Sequence, residues 1–296
     1  MNTIPILNIA QFDKEESLDN FYSNDLKKHL QKNAEIFHKP HKHDFFLCVL
    51  FLKGSGRHEI DFNLYKIEPG SVFFLMPGQT HYWKFDDDPE GYIFFHSQEF
   101  YELFFLNRKP QQFPFYYTFS NPPYLTVTPS KRSVLEAYFR EIYEEYQRAP
   151  MYHIQKIASL VNLVYIELSR LYVTEEVSNR ALSPTYLQTL AALEKLIAAS
   201  YKVEKSAKFY ANKLGFTTKH LNRITKTTLN KTTTELITER LILEAKRLIV
   251  HSENPLSHIA EELGYEDYAY FSRVFKQKTN TTPLTFKKDY RLLKQG

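Results

Sequence analysis

The sequence predicts an α+β chain of more than one domain. A small β-barrel and a helical pair form the N-terminal part, and an all-α part built from two copies of one helical unit follows. Three observations predict this. Between His41 and His96, short apolar runs alternate with Gly and Pro turn signals about every ten residues, the pattern of short strands in a small barrel or sandwich. Between Lys205 and Lys288 the chain repeats one order of small, apolar, Gly and basic positions, at an offset of 49 and then 50 residues, as a duplicated supersecondary unit does. Charge is also divided: 19 Lys and Arg stand against 11 Asp and Glu from Pro184 onward, and 19 against 23 before it.

A length of 296 residues allows two domains of ordinary size. The net charge of +4 conceals a basic C-terminal half and a mildly acidic N-terminal one, which suits a nucleic-acid module joined to one that does not bind nucleic acid. The single cysteine, Cys48, excludes an intrachain disulfide and a Cys-based zinc cluster and suits a reducing compartment. Met1 to Phe12 lacks the features of a signal peptide, and no apolar run approaches the ~18 residues of a membrane span. A cytoplasmic protein without membrane contact is expected. The 21 Tyr and 24 Phe read as core and strand residues.

In chain order, Leu18 to Leu30 reads as a short amphipathic piece and Glu35–His38 as a first strand. Phe45 to Leu52 is nearly all apolar, Gly54-Ser-Gly56 is a turn, and Arg57 to Phe62 alternates. Pro69-Gly70 precedes the strand Ser71–Met76, Pro77-Gly78 precedes His81–Phe85, and Gly91 precedes Tyr92–His96. His41-Lys-His43, Pro69-Gly70 and Pro77-Gly-Gln-Thr-His81 together resemble a cupin barrel over roughly residues 35–125. In metal-binding cupins two early histidines, a carboxylate and a late histidine converge on a metal. Here the stretch after His43 has no Glu, although His41, His43 and His81 could make a three-histidine site with an open position. The competing reading makes them polar lining, and it is preferred: no metal and no cofactor are expected. His41, His43, His81 and Trp83 become candidate effector-binding residues.

Gln98 to Leu106 reads as a short helix, Pro110 to Pro123 as loop with a short strand, and Leu125–Val127 as a final strand. Thr128-Pro129 is a helix start. Two helical patterns follow, Pro129–Gln147 and Met151–Tyr172. The second carries a stripe of Ile154, Ile157, Leu160, Val161, Val164, Leu168 and Leu171, too apolar to face water, which must pack on the barrel or form a dimer interface. Thr174 to Ser183 is polar and without periodicity, as a linker is. Tyr186 to Ala199 opens the all-α part, with Leu187, Leu190, Leu193 and Ile197 inward.

The duplicated unit reads the same way twice. Ala211 and Ala260 are small where two helices cross, and Gly215 and Gly264 close a helix in the left-handed conformation. Thr217, and Asp267 or Glu266, can cap the next helix. That helix turns Leu221 and Ile224, or Phe271, Val274 and Phe275, inward. Its other face carries Thr218, Lys219, Asn222, Arg223 and Lys226 in the first copy, and Tyr268, Ser272, Arg273 and Lys276 in the second. Arg suits guanine edges, Asn adenine and Lys phosphate, so these nine are candidate contacts to double-stranded DNA. Asn230 and Asn280 follow the two helices and tolerate the left-handed conformation. Thr234 to Val250, between the copies, is a helix with Ile237, Leu241, Ala245, Leu248 and Ile249 on one face, and Asn254-Pro255 starts the next helix.

The run Leu263-Gly-Tyr-Glu-Asp-Tyr-Ala-Tyr-Phe-Ser-Arg-Val-Phe-Lys276, with Asn280-Thr-Thr-Pro283, resembles the signature of AraC-type transcriptional regulators. The first copy resembles the weaker half of that domain. Asn stands for the usual Gly at 230 and 280, Thr233 stands where Pro is common, and Thr225 replaces a Phe. The resemblance implies seven helices in two helix-turn-helix subdomains joined by a linker helix, and a cupin-like sensor barrel before them. It also favours the helical pair as a homodimer interface and a small-molecule effector in the barrel, with RNA polymerase a further candidate partner. The expected boundaries are 1–128 for the barrel, 129–173 for the helical pair, 174–183 for the linker and 184–296 for the DNA-binding domain. The reading is a sequence-specific transcription regulator. Its rivals are a metal-dependent cupin enzyme that binds DNA incidentally and an architectural DNA binder without a sensor. No nucleophile triad, phosphate-binding Gly loop or paired carboxylates support catalysis.

Overall fold

The computed structural model describes residues 4–12, 20–105, 109–117, 121–172 and 184–293. The chain separates into two compact units, one spanning Ile4–Ala181 and the other Leu182–Gly296. The expected linker at 174–183 lies outside the described residues.

Among the described residues the first unit carries ten strands: β1 Ile6–Leu7, β2 Phe21–Asp25, β3 Lys42–His43, β4 Phe46–Lys53, β5 Gly56–Ile60, β6 Asn63–Ile67, β7 Ser71–Leu75, β8 His81–Phe85, β9 Glu90–His96 and β10 Tyr124–Thr126. An antiparallel five-stranded sheet runs β10-β7-β4-β9-β2, and an antiparallel three-stranded sheet runs β6-β5-β8. The short pair β1–β3 is parallel. Strand β4 is apolar from Phe46 to Leu52, and its two faces show why. Leu47, Val49 and Phe51 enter the core shared with the three-stranded sheet, while Phe46, Cys48 and Leu50 enter a second core under the helices. A strand buried on both faces has no polar side to alternate with.

Two local expectations fail here. Glu35–His38 is not a strand, because helix α2 spans Ala34–Phe37 and sets Phe37 against the rings of Phe12, His29 and Trp83. The first strand of the five-stranded sheet is instead Phe21–Asp25, inside the stretch expected to be amphipathic. Phe21 and Tyr22 are buried on opposite faces of it, and only then does Asp25 cap helix α1, Leu26–Lys32, through Lys28 N–H.

Helix α3 is Gln98–Phe104. Helices α4, Pro129–Arg148, and α5, His153–Tyr172, follow, joined by a turn in which Ala149 and Tyr152 both take left-handed backbone angles. The apolar stripe of α5 is covered within the chain. Ile157, Leu160, Val161, Val164 and Leu168 share one core with Phe46, Phe74 and Phe94 of the sheet and Leu135, Phe139 and Ile142 of α4. The resemblance favours the helical pair as a dimer interface; within the chain its stripe packs on the five-stranded sheet.

Among the described residues the second unit holds the seven helices that the resemblance implies, in one core. They are α6 Pro184–Ser200, α7 Ala207–Lys213, α8 Thr218–Leu229, α9 Thr233–His251, α10 Leu256–Glu262, α11 Tyr268–Thr279 and α12 Pro283–Leu293. The linker helix α9 supplies Leu236, Ile237, Leu241, Ile242, Ala245 and Ile249 to that core. Pro255 precedes α10 as its N-cap residue instead of opening it, where its missing N–H is equally harmless. No described helix is long and apolar enough to cross a membrane.

Candidate nucleic-acid interface and sensor site

The two helix-turn-helix units are built by the same bonds. At the end of α7, Phe216 N–H donates to Ala211 O at 2.8 Å and Gly215 N–H to Asn212 O at 3.1 Å. At the end of α10, Tyr265 N–H donates to Ala260 O at 2.9 Å and Gly264 N–H to Glu261 O at 2.8 Å. Both are the paired bonds that close a helix on a left-handed Gly, with φ of 75° at Gly215 and 72° at Gly264. Thr217 then caps α8 by accepting from His220 N–H, and Asp267 caps α11 by accepting from Ala269 and Tyr270 N–H. Between Gly and cap the second copy has one residue more, Glu266, the source of the 49-to-50 change in offset. Asn230 and Asn280 end α8 and α11 at φ of 55° and 61°.

Each of these helices hides its anchors and shows its basic face. Leu221, Ile224 and Thr225 are buried in α8, and Phe271 and Phe275 in α11. Thr225 takes the place of Phe275 and keeps its hydroxyl satisfied on Asn222 O. Lys219, Arg223, Lys226, Tyr268, Arg273 and Lys276 are exposed, while Thr218, Asn222 and Ser272 are half-buried. Both arginines are propped from the preceding turn. Arg223 donates to His220 Nδ1 at 3.0 Å, with the His220 ring stacked on Phe216. Arg273 lies over the Tyr270 ring, 5.8 Å from its centroid, where a guanidinium is weakly attracted.

Asn222 is placed differently from its neighbours. Its Oδ1 accepts from Thr233 N–H at 2.9 Å, at the first residue of the linker helix. An N–H in the first turn of a helix has no acceptor within the helix, and Asn222 provides one. In the second copy the matching position is Pro283, which has no N–H, and the residue matching Asn222 is Ser272. Asn222 and Thr233 therefore make one joint departure, and the oxygen assigned to adenine reading is engaged in structure.

In the sensor unit His41, His43, His81 and Trp83 do come together, with His58 added, between the two larger sheets. His58 and Trp83 are register partners across β5 and β8, and His41 and His81 exchange both backbone hydrogen bonds, at 3.1 and 2.9 Å. The His81 ring lies 4.3 Å from that of His41, 5.0 Å from His43, 5.1 Å from His58 and 5.3 Å from Trp83, centroid to centroid. All five side chains are buried. His41 Nδ1 bonds Lys39 O and His43 Nδ1 bonds Phe45 O, so each carries its proton there. His58 Nε2 and His81 Nδ1 share one proton at 2.9 Å. His43 Nε2, His58 Nδ1, His81 Nε2 and Trp83 Nε1 have no hydrogen-bond partner. Burial, reinforced by the neighbouring rings, pushes the His43 pKa down to about 3 and those of His58 and His81 well below the usual range; burial alone lowers that of His41. The cluster is neutral at pH 7. Among the described residues no group of three or more His, Cys, Asp or Glu could hold a metal ion.

Sequence reasoning missed His58, although a signal existed: it occupies an inward position of an alternating strand. It also missed a second buried chain, in which Tyr116 OH donates to Tyr165 OH and Tyr165 OH to His96 Nε2, at 3.3 and 2.6 Å. His96 Nδ1 bonds Ser97 O, and burial lowers its pKa to about 4.

Comparison with known proteins gives two family matches. Residues 28–148 match the AraC-like ligand binding domain, and residues 210–289 match a helix-turn-helix domain. The transcriptional activator RhaR of Escherichia coli is 25% identical over 247 residues, covering 82% of this chain and 84% of its own, and RhaR of Shigella flexneri matches over the same length and identity. Fatty-acid-bound ToxT of Vibrio cholerae aligns over 91% of this chain and 95% of its own at 18% identity and a TM-score of 0.41.

Proposed function

We propose that this chain, whose residues 28–148 and 210–289 match an AraC-like ligand binding domain and a helix-turn-helix domain, works as an AraC-type transcription regulator in which α8 and α11 of one chain read two successive major grooves. The observation that carries this is the duplicated unit with its two outward basic faces, each presenting a propped arginine. Arg223 and Arg273 are the base readers, Lys219, Lys226 and Lys276 the phosphate contacts, and Thr218, Tyr268 and Ser272 flank them. Asn222 is withdrawn from the set. A rigid α9 holds the two helices about one DNA turn, roughly 34 Å, apart.

The effector site in this reading is the interior around His41, His43, His58, His81 and Trp83. What supports it is the gathering of four buried polar atoms without partners, since such atoms are costly unless something pairs with them. The protein works in the cytoplasm as a regulator and not as an enzyme, beside RNA polymerase at promoters. It pairs as a homodimer through the outer face of the helical pair, where Val134 and Leu163 lie exposed.

A hydroxyl-radical footprint of the full-length chain on a selected site tests the DNA reading. Two protected patches one helical turn apart are expected. A single patch, or protection without sequence preference, would overturn it.

A further inference from the structure

We propose that the buried histidine cluster makes the sensor unit acid-responsive: its rings take up protons together, and the packing between the three-stranded and five-stranded sheets opens. The distribution of histidines is the starting point. Eight of the eleven lie in the sensor unit, and six of those, His29, His41, His43, His58, His81 and His96, are buried. In the DNA unit His220, His251 and His258 all reach solvent.

Burial opposes charge on the cluster and outweighs the two backbone carbonyls that favour it, Lys39 O on His41 and Phe45 O on His43. From β5 comes His58, from β8 His81 and Trp83, from β7 Phe73, and from the segment before β4 His41, His43 and Phe45. Helix α1 brings His29, bonded to Tyr22 OH and ringed by Phe12, Phe37 and Phe95, with His41 and Lys32 both acting against charge on it. From β6 comes Tyr65, against Phe73. The carboxylate at the end of β5, Asp61, accepts from Thr80 N–H at 3.1 Å and from the Gln79 side chain at 3.5 Å. The side chains of Lys39, Asp44 and Lys84 lie at exposed positions, and Glu59 pairs with Tyr82 on the outer face of its strand.

The first proton must therefore enter an interior of aromatic rings and other histidines. A buried charge without a partner is unfavourable, so the folded core resists protonation until it yields. Once it opens, each ring is solvated, binds its proton at the ordinary value near 6.5, and the rest follow. Uptake by several rings in one step gives a transition steeper than any single titration. The His58–His81 hydrogen bond is lost at the same moment, because the nitrogen that accepts in it takes up a proton and two imidazoliums have no acceptor between them.

As regulation of the effector site this rests on that reading. As a property of the core it is measured with no effector present, so the two can fail separately. Trp83, the one tryptophan in the chain, has its ring 5.2 Å from His58 and 5.3 Å from His81 and reports on the cluster directly. Tryptophan fluorescence of the full-length chain is followed from about pH 8 to about pH 5. A single reversible change with an apparent uptake of two or more protons is expected, and His58→Gln should flatten it and move its midpoint to lower pH. Histidine-ring NMR of the unaltered chain keeps the question answerable if that variant does not fold, since the buried rings should then change at one shared midpoint. A flat fluorescence profile, a one-proton curve that His58→Gln leaves in place, or ring signals that titrate independently would overturn the proposal.

Discussion

Arg223 and Arg273 occupy equivalent places and are held by different partners, a histidine and a tyrosine one turn earlier. In the proposed reading, holding a guanidinium lowers the entropy lost when it meets a base, so the props belong to that proposal as much as the arginines do. Arg273→Ala is expected to weaken binding by about 1–3 kcal/mol and relax preference at one position of the site, as base-by-base competition would show. Lys226→Ala should instead weaken all sequences alike and lower the salt slope by about one unit. Asn222→Ala behaves as neither. It leaves Thr233 N–H without its acceptor, so about 1 kcal/mol of stability should disappear while base preference is kept, and calorimetry beside competition binding separates the two. The positions of the basic residues were legible from helical spacing alone. The engagement of Asn222 was not, because its acceptor role depends on an N–H eleven residues away.

At the scale of elements, the two helix-closing glycines share a backbone angle and differ in surroundings. A Cβ at Gly215 would meet nothing within 4 Å, whereas one at Gly264 would stand 2.0 Å from Lys202 O. Gly215→Ala should cost about 1 kcal/mol, the ordinary penalty of a left-handed alanine. Gly264→Ala should cost well beyond that, because the carbonyl is backbone and must move. Equal melting shifts for the two variants would contradict this close approach. Helix α5 makes the second case. Its stripe is buried under the sheet, so Leu168→Ala is expected to destabilise the sensor unit by about 2–5 kcal/mol with the oligomeric state unchanged in sedimentation. Periodicity gave this helix and its apolar face but not the partner of that face, since a stripe alone does not say whether a sheet or another chain covers it. The strand Phe21–Asp25 was hidden for a similar reason: its first three residues are buried on both faces and carry no alternation to detect.

For the molecule as a whole, the two units differ in how they meet acid. Burial holds His29, His43 and His96 at about 3, about 3 and about 4, against about 6.5 in an unfolded chain. Their depressed values mean that the unfolded state binds more protons below about pH 6.5. Stability from their neutral burial is therefore full above that pH and falls toward pH 3–4, by about 1.4 kcal/mol per histidine per pH unit. Denaturant unfolding of the full-length chain should show the sensor transition moving to lower denaturant as pH falls, with the DNA unit's transition moving far less. Of this division, charge and repeat pattern showed the second unit clearly. The acid-sensitive interior escaped because histidines from separate strands meet only through sheet register.

The central claim, that one chain reads two successive grooves through a duplicated unit, is tested most directly by selecting bound DNA from a random pool at two salt concentrations with the full-length protein. The account predicts enriched sites that carry two distinct motifs one helical turn apart, with Arg273→Ala relaxing preference at one position, in one motif only. Enrichment of a single motif, or salt-sensitive binding without any enrichment, would contradict it.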